Sequence, residues 1–416
     1  MSLANEEKPA FDADAIHARI LEAIEREQET ILAVADEIHA NPELGMEEFK
    51  AQKLLTETIA RYGFEVERGT GGIGTAFKAI RGGKGSGPAI AFLAEYDALP
   101  GLGHGCGHNL IAGSNLAAAI GLGAVIAELG GEVMLIGTPA EENKGGKVIM
   151  IENGAFDDVD VAFSSHHAGN VSGVPTEAPE GTCLAVSPRI FKYYGRTAHA
   201  ALDPHNGINA LNAVIHLFTG LDALRQHLTP DVRIHGIITH GGDAPNVVPE
   251  YAEAYFMFRG ASRATVDAVV EQAVRVAEGA ALMTGARLEI DDTEPDYDDV
   301  VPNYTLGRLI QRHFAAAGLK ENPPAAEKPR ATGPAAYSTD LGNVSRKMPT
   351  AAIDFAISEV PIPGHSMAVV EGSISEMGRA NAIATGKALA LAAADLLMNP
   401  ELLAEAQAEF EAATAK

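Results

Sequence analysis

The sequence predicts an α/β protein, a helix-covered sheet interrupted by an inserted smaller domain. Three observations predict it. Apolar strands alternate with helices between residues 72 and 164, which builds a largely parallel sheet covered on both faces. Near Cys183 the rhythm changes to strand-helix-strand-strand-helix-strand, the ferredoxin-like order that closes into a unit of its own. The alternating pattern returns from Tyr304, and 416 residues exceed what one ordinary core organises.

Each element follows from its local pattern. Residues 15–40 carry a charge-rich helical period that Asn41-Pro42 stops, and residues 46–62 resume a helix that Gly63 closes. Residues 72–79 and 89–94 are apolar strands separated by a Gly-rich turn at 82–87. Helix is expected at 109–129, strand at 132–138, helix at 146–153 and strand at 159–164. In the inserted domain, strands are expected at 184–194, 233–239, 249–259 and 286–291, with helices at 208–226 and 266–283. A helix at 304–317, a loop around 332–343, a strand at 351–356 and a helix at 380–398 close the pattern. The uncharged stretch 110–127 approaches the length of a membrane span. Its Ala and Gly content, Ser114, Asn115 and the strand that follows point instead to a helix buried in the core.

Composition excludes several function classes. Hydrophobic residues make up 46% and charged residues 21%, as in a soluble globular protein. Net charge is −25 and Trp is absent, which argues against nucleic acid or an anionic membrane as partner. A small molecule is the expected partner. Two Cys make a disulfide framework unexpected, and the polar segment 1–9 lacks the apolar run of a signal peptide. A thiolate ligand needs reducing conditions, so the expected compartment is the cytoplasm.

Chemistry concentrates in residues 94–109, A-E-Y-D-A-L-P-G-L-G-H-G-C-G-H-N. Cys106 and His108 offer thiolate and imidazole from one Gly-rich loop, donors that suit first-row metals. Alone, such a pair is as compatible with a buried thiol and a hydrogen-bonded imidazole. His104 could join them. Glu141 and Glu142 follow a strand and a proline, so one can hold a metal while the other faces water as general base. His166-His167 end another strand, and His365 sits in a Pro/Gly loop. In the inserted domain, His199 could donate to a developing oxyanion, although a structural imidazole is the simpler reading of it alone. The joint position of the acids, Cys and His beyond strand ends, where α/β sheets bind ligands, predicts a hydrolytic metal centre.

Six stretches carry a resemblance: AEYDALPGLGHGCGHNLIAG, GTPAEENKGGK, GRTAHAALDPHNGINALNAV, GGDAPNVVPEYAEAYFMFR, STDLGNVSRKMPT and PGHS. In that order they resemble the aminoacylase/glutamate-carboxypeptidase family of metallopeptidases, in its Cys-Gly-His amidohydrolase branch. The resemblance implies a mixed-sheet catalytic domain at 1–185 and 297–416, interrupted at 186–296 by a ferredoxin-like dimerisation domain, hence a homodimer. It implies two divalent ions, Zn or Mn, held by Cys106, His108, Glu142, His166 and His365, with His166 preferred over His167. Glu141 is the implied general base and then acid. Asp97 is the implied orienting acid. His199, reaching across a dimer, is implied to stabilise the tetrahedral intermediate. Asn246 and Arg259 resemble positions that contact a substrate carboxylate, and Asp340, Asn343 and Ser345 match a loop on the substrate side. Glu95 stands where other branches place a metal-binding His and is left outside the expected ligand set.

The expected activity is hydrolysis of a C–N amide bond in an N-acyl or N-aryl amino acid or a dipeptide. The alternative is hydrolytic deamination of a small aromatic amine at the same binuclear site. A non-catalytic binding protein would retain the fold without needing Glu141.

Overall fold

Residues 89–94 carry no polar side chain, and such a strand is stable only where both its faces are covered. A computed structural model describes residues 11–83, 85, 87–177, 183–292, 294–321 and 337–415, and in it that strand is central to its sheet. The polar segment 1–9, two positions of the Gly-rich turn (84 and 86) and residues 332–336 of the expected late loop lie outside the described residues. The chain divides into two compact units, Met1–Gly181 with Val301–Ala331 and Val344–Lys416, and Thr182–Val300 with Thr332–Asn343.

The first unit begins with helices α1 (Ala13–Ala40) and α2 (Phe49–Ala60) and strands β1 (Glu65–Arg68), β2 (Phe77–Gly82) and β3 (Ala89–Ala94). Helices α3 (His108–Gly123) and α4 (Ile126–Leu129), strand β4 (Glu132–Gly137), helix α5 (Gly146–Glu152) and strand β5 (Val161–His167) follow. The second unit holds β6 (Ala185–Tyr194), α6 (Ala210–Arg225), β7 (Arg233–His240), β8 (Tyr251–Gly260), α7 (Arg263–Thr284) and β9 (Arg287–Asp291). The chain then runs through α8 (Tyr304–Arg312), α9 (Phe314–Ala317), α10 (Leu341–Lys347), β10 (Thr350–Phe355), α11 (Met367–Gly372), α12 (Glu376–Met398) and α13 (Pro400–Thr414).

The first sheet has six strands in the order β1-β2-β4-β3-β5-β10. Strands β4, β3, β5 and β10 are parallel, while β2 runs antiparallel to β4 and β1 antiparallel to β2. The sheet is therefore mixed. Helix α3 is buried at every residue and packs against α1, α12 and the strands. Its Ala and Gly positions let α12 approach closely: a side chain at Gly386 would meet the Ser114 carbonyl at 2.5 Å. The stretch 110–127 is thus core helix. Among the described residues, only α12 is long and apolar enough to cross a membrane, and it too lies mostly inside the core.

Several boundaries differ from the sequence expectation. The strand expected at 72–79 starts at Phe77, because Thr70–Gly72 forms a 3-10 turn with Gly71 and Gly72 at positive φ. Strand β1 escapes prediction because it is short, charged and at a sheet edge. Helix α12 starts at Glu376 because Ser375 caps it, its side chain accepting from the Gly378 N–H. Helix α13 follows from Asn399-Pro400, a cap and an N-terminal proline that a pattern search for apolar periodicity passes over. The loop expected to 343 gives way to α10 at Leu341.

In the second unit the sheet order is β7-β8-β6-β9, antiparallel throughout, the ferredoxin-like arrangement. Strand β8 alternates buried and half-exposed positions, as a sheet with helices on one face requires. Phe191, Phe256 and Phe258 form its aromatic core with Val214, Leu217 and Ala277. The segment 337–343, expected in the closing part of the first domain, groups with this unit. Its reason is hydrogen bonding: Leu184 N–H donates to the Tyr337 carbonyl at 2.8 Å, and Arg259 Nη1 donates to Ser338 Oγ at 2.8 Å.

Three helical segments of the first unit are clipped by one carboxylate. His17 Nε2 and His313 Nε2 each donate to a different oxygen of Asp395, both at 2.8 Å. Burial works to raise the Asp395 carboxyl, yet the hydrogen bonds from His17 and His313 hold it down to about 2, against 3.8. A depressed carboxylate contributes stability that is present above its unfolded pKa and lost as pH falls through the folded one. Asp395→Asn is therefore expected to cost about 2 kcal/mol at neutral pH. In urea denaturation, the gap to the parent protein should close between about pH 4 and pH 2. A gap independent of pH would show that the clip is not ionic.

Candidate metal centre

Because β3, β4, β5 and β10 are parallel, their carboxyl ends share one rim, and the loops that leave them deliver the polar residues there. From β3 come Glu95, Asp97, Cys106 and His108. From β4 come Glu141 and Glu142. His166 lies at the end of β5, and His365 follows β10.

Asp97 is fully buried and works in two directions. Its Oδ1 accepts from His108 Nδ1 at 2.8 Å, and its Oδ2 accepts from the Glu142 N–H at 3.0 Å. The first bond fixes the His108 tautomer and turns Nε2 inward, as in metal-binding imidazoles backed by a carboxylate. His166 is oriented the same way, its Nδ1 donating to the His167 carbonyl at 2.7 Å. Its Nε2 then lies 3.4 Å from Cys106 Sγ. Glu142 Oε1 lies 3.9 Å from His108 Nε2 and 3.4 Å from His365 Nε2.

Three sets of donor atoms gather within 4.8 Å of one another: Cys106, His108 and His166; Cys106, Glu142 and His365; and His108, Glu141 and Glu142. Every expected ligand thus reaches the rim, with Glu141 beside them. His108 Nε2 and Glu142 Oε1 are buried there without a hydrogen-bond partner. Buried polar atoms are normally paired, and leaving them bare is costly. Burial also pushes the Cys106 thiol well above its ordinary value, so a thiolate there requires a cation beside it. The donor set fits divalent metal ions, and soft thiolate, imidazole and carboxylate together suit Zn or a neighbouring first-row metal.

Backbone strain collects at the same rim. Ala140, just before Glu141, has φ of 61°, and His365 has φ of 49°, a region that non-glycine residues avoid. Ala140 is held by Glu48, whose buried Oε1 accepts from its N–H at 2.8 Å. Burial raises the Glu48 carboxyl to about 7.

The comparisons extend this picture. Residues 190–282 match the model of the peptidase dimerisation domain of M20 enzymes. The Xaa-Arg dipeptidase of Mus musculus is 36% identical over 420 residues, which cover 97% of this chain and 94% of that protein. The chain belongs to the M20 peptidase family. A subunit of the p-aminobenzoyl-glutamate hydrolase of Escherichia coli K12 is 31% identical, across 96% of this chain and 95% of the relative. A Bacillus subtilis structure described as a dinuclear metal-binding peptidase from the M20 family shares the fold at 21% identity, with a TM-score of 0.64 over 92% of this chain and 99% of that one. This M20 chain is an enzyme of the peptidase and amidohydrolase class.

The second unit holds the other expected site residues of this M20 enzyme. His199 is exposed, and its Nδ1 accepts from the Leu202 N–H at 3.1 Å. It pairs across a β-bridge with Val247, and Ala200 N–H donates to the Asn246 carbonyl at 3.0 Å, so the loops bearing His199 and Asn246 meet. Arg259, on β8, has its own partners in Ser338 and His235. Of the late-loop residues, Asn343 Oδ1 accepts from the Asp298 N–H at 3.1 Å. In the first unit, Ser345 Oγ accepts from the Val301 N–H at 2.8 Å.

His104 stands apart from the donor groups, its Nε2 donating to the Ile38 carbonyl at 3.1 Å. Two residues at the rim escaped the sequence reading, Glu48 and Lys147, while Glu95, weighed there and left outside the ligand set, also reaches it. Glu48 lies far away in sequence and carries no local signal. Lys147 was visible only as the end of the GTPAEENKGGK stretch.

Asp97→Ala removes the partner of His108 Nδ1 and the anchor of the Glu142 backbone together. Chelator competition with Zn2+ is expected to show affinity reduced about 10–100-fold, with circular dichroism confirming an intact fold. Unchanged affinity would take Asp97 out of the centre.

Proposed function

We propose that this M20 enzyme hydrolyses the C–N amide bond of a dipeptide or of an N-acyl or N-aryl amino acid. The observation that carries the reading is the meeting of Cys106, His108, Glu142, His166 and His365 at one rim with Glu141 beside them. Two divalent ions, Zn or Mn, suit these donors; when bound, they lower the pKa of a water and polarise an amide carbonyl. Glu141 takes the proton of the attacking water and returns it to the departing nitrogen, which needs it because an amide anion is a very poor leaving group. Asp97 keeps His108 in its ligating tautomer. Asn246 and Arg259 hold the carboxylate of the substrate, since in a chain of net charge −25 an acid must be drawn in by local positive groups. The names of the relatives, a dipeptidase and an aminobenzoyl-glutamate hydrolase, support an amino-acid amide as substrate.

We propose further that the enzyme is a homodimer joined through its second unit, in which His199 of one copy donates to the developing oxyanion in the other. The dimerisation-domain match supports this. So does β7, an edge strand of its sheet that exposes Ile237 and Ile238, since an uncovered edge is a template for pairing. The thiolate ligand favours the cytoplasm as the compartment.

Mass spectrometry of Zn- and Mn-reconstituted enzyme against dipeptides, p-aminobenzoyl-glutamate, N-acyl amino acids and aminobenzoates tests the activity. Release of a free amino acid, lost by at least about 1,000-fold in a folded Glu141→Ala variant, is the expected outcome. Ammonia from an aminobenzoate would replace amide hydrolysis with aromatic deamination.

For the assembly, Ile237→Lys is expected to give a folded monomer by light scattering with little activity. A fully active monomer would remove His199 from the mechanism.

A further inference from the structure

Lys147 is fully buried near the start of α5. Such an ammonium persists only where an anion meets it. That anion is Glu95, the first residue after β3, itself 3% exposed, whose Oε1 lies 2.6 Å from Lys147 Nζ. The other oxygen, Oε2, is buried and has no hydrogen-bond partner. It lies 3.4 Å from His108 Nε2. That separation is too long for a normal hydrogen bond. Asp97 accepts from His108 Nδ1, so in the neutral imidazole Nε2 carries no proton and is free to ligate. Glu95 Oε2, His108 Nε2 and Glu142 Oε1 are therefore three bare, buried donor atoms, with His108 Nε2 within 4 Å of both oxygens.

We propose that Glu95 is an additional ligand of the metal centre, its second oxygen lying on the His108 side of the site. Lys147 is a positioning residue that fixes the Glu95 carboxylate and offsets its charge. The inference rests on the metal-centre reading above. It explains why a lysine is buried at this rim: Lys147 balances the carboxylate that Glu95 brings to the donor atoms. It also gives each oxygen of Glu95 a distinct task, one toward Lys147 and one toward the ion. A purely structural ion pair tying β3 to α5 would leave Oε2 buried without a hydrogen bond, 3.4 Å from His108 Nε2.

The test uses full-length apo-enzyme loaded with Zn2+ or Co2+. Glu95→Gln is nearly isosteric and keeps an oxygen for Lys147 while removing the charge. Zn2+ competition with a chelator is expected to show at least one site weakened about tenfold or more. The Co2+ visible spectrum, which reports ligand geometry, is expected to shift. Lys147→Met is expected to weaken the same site. Should Lys147→Met not fold, because it strands the Glu95 charge, the double variant Glu95→Gln/Lys147→Met removes both charges and carries the measurement. Parent-like Zn2+ affinity and an unchanged Co2+ spectrum in Glu95→Gln would overturn the proposal and leave a structural ion pair. Parent enzyme that takes up no Zn2+ or Co2+ would overturn the metal centre itself, an outcome separate from the first.

Discussion

Asp97 accepts from the imidazole of His108 with one carboxylate oxygen and from the backbone of Glu142 with the other, so the loops that follow β3 and β4 cannot move independently. The rest of the rim depends on this bridge. It sets the tautomer of one candidate ligand and the backbone position of another. Because Asp97 is buried among apolar strands, its two hydrogen bonds act in a medium of low dielectric, where they are stronger than in water. Parallel strands make the bridge possible: β3 and β4 are register neighbours that end side by side, Ala94 opposite Gly137.

Around that bridge the protein keeps groups that a purely structural core would eliminate. Bare nitrogens and oxygens on His108, Glu142 and Glu95 are buried, and Ala140 and His365 hold left-handed backbone. Each costs of order 1–3 kcal/mol. They persist because the surroundings over-determine them. Glu48 holds the Ala140 N–H, and a side chain at Gly45 would come within 2.4 Å of Asn143 and 2.9 Å of the Ala140 side chain, so the loop before α2 closes onto the loop of Glu141 and Glu142. Cations held at the rim would relieve the electrostatic part of this cost and would couple metal uptake to folding.

The second unit follows different physics. Its antiparallel sheet buries one face against α6 and α7 and leaves the other partly exposed, and β7 lies open at the edge. Exposed Ile237 and Ile238 on such an edge are an aggregation hazard in a lone chain. Pairing with a second copy would cover that edge.

Much of this was legible in the chain itself. Period and punctuation alone separate the interrupted α/β unit from the ferredoxin-like one. The run of residues 94–109, the Glu141-Glu142 pair and the later histidines point to a metal centre only jointly, through their shared position beyond strand ends. The misses share a cause. Strand β1 and helix α13 are charged and peripheral, so apolar periodicity carries no signal for them. Glu48 reaches Ala140 across 92 positions of sequence, and Lys147 reaches Glu95 from the next crossover helix. Sequence determined which chemical groups are present and which strand each follows. Only the tertiary structure decided which atoms meet, that His108 turns Nε2 inward and that Glu95 keeps one oxygen free, because orientation is set by hydrogen bonds between loops that the linear chain holds apart.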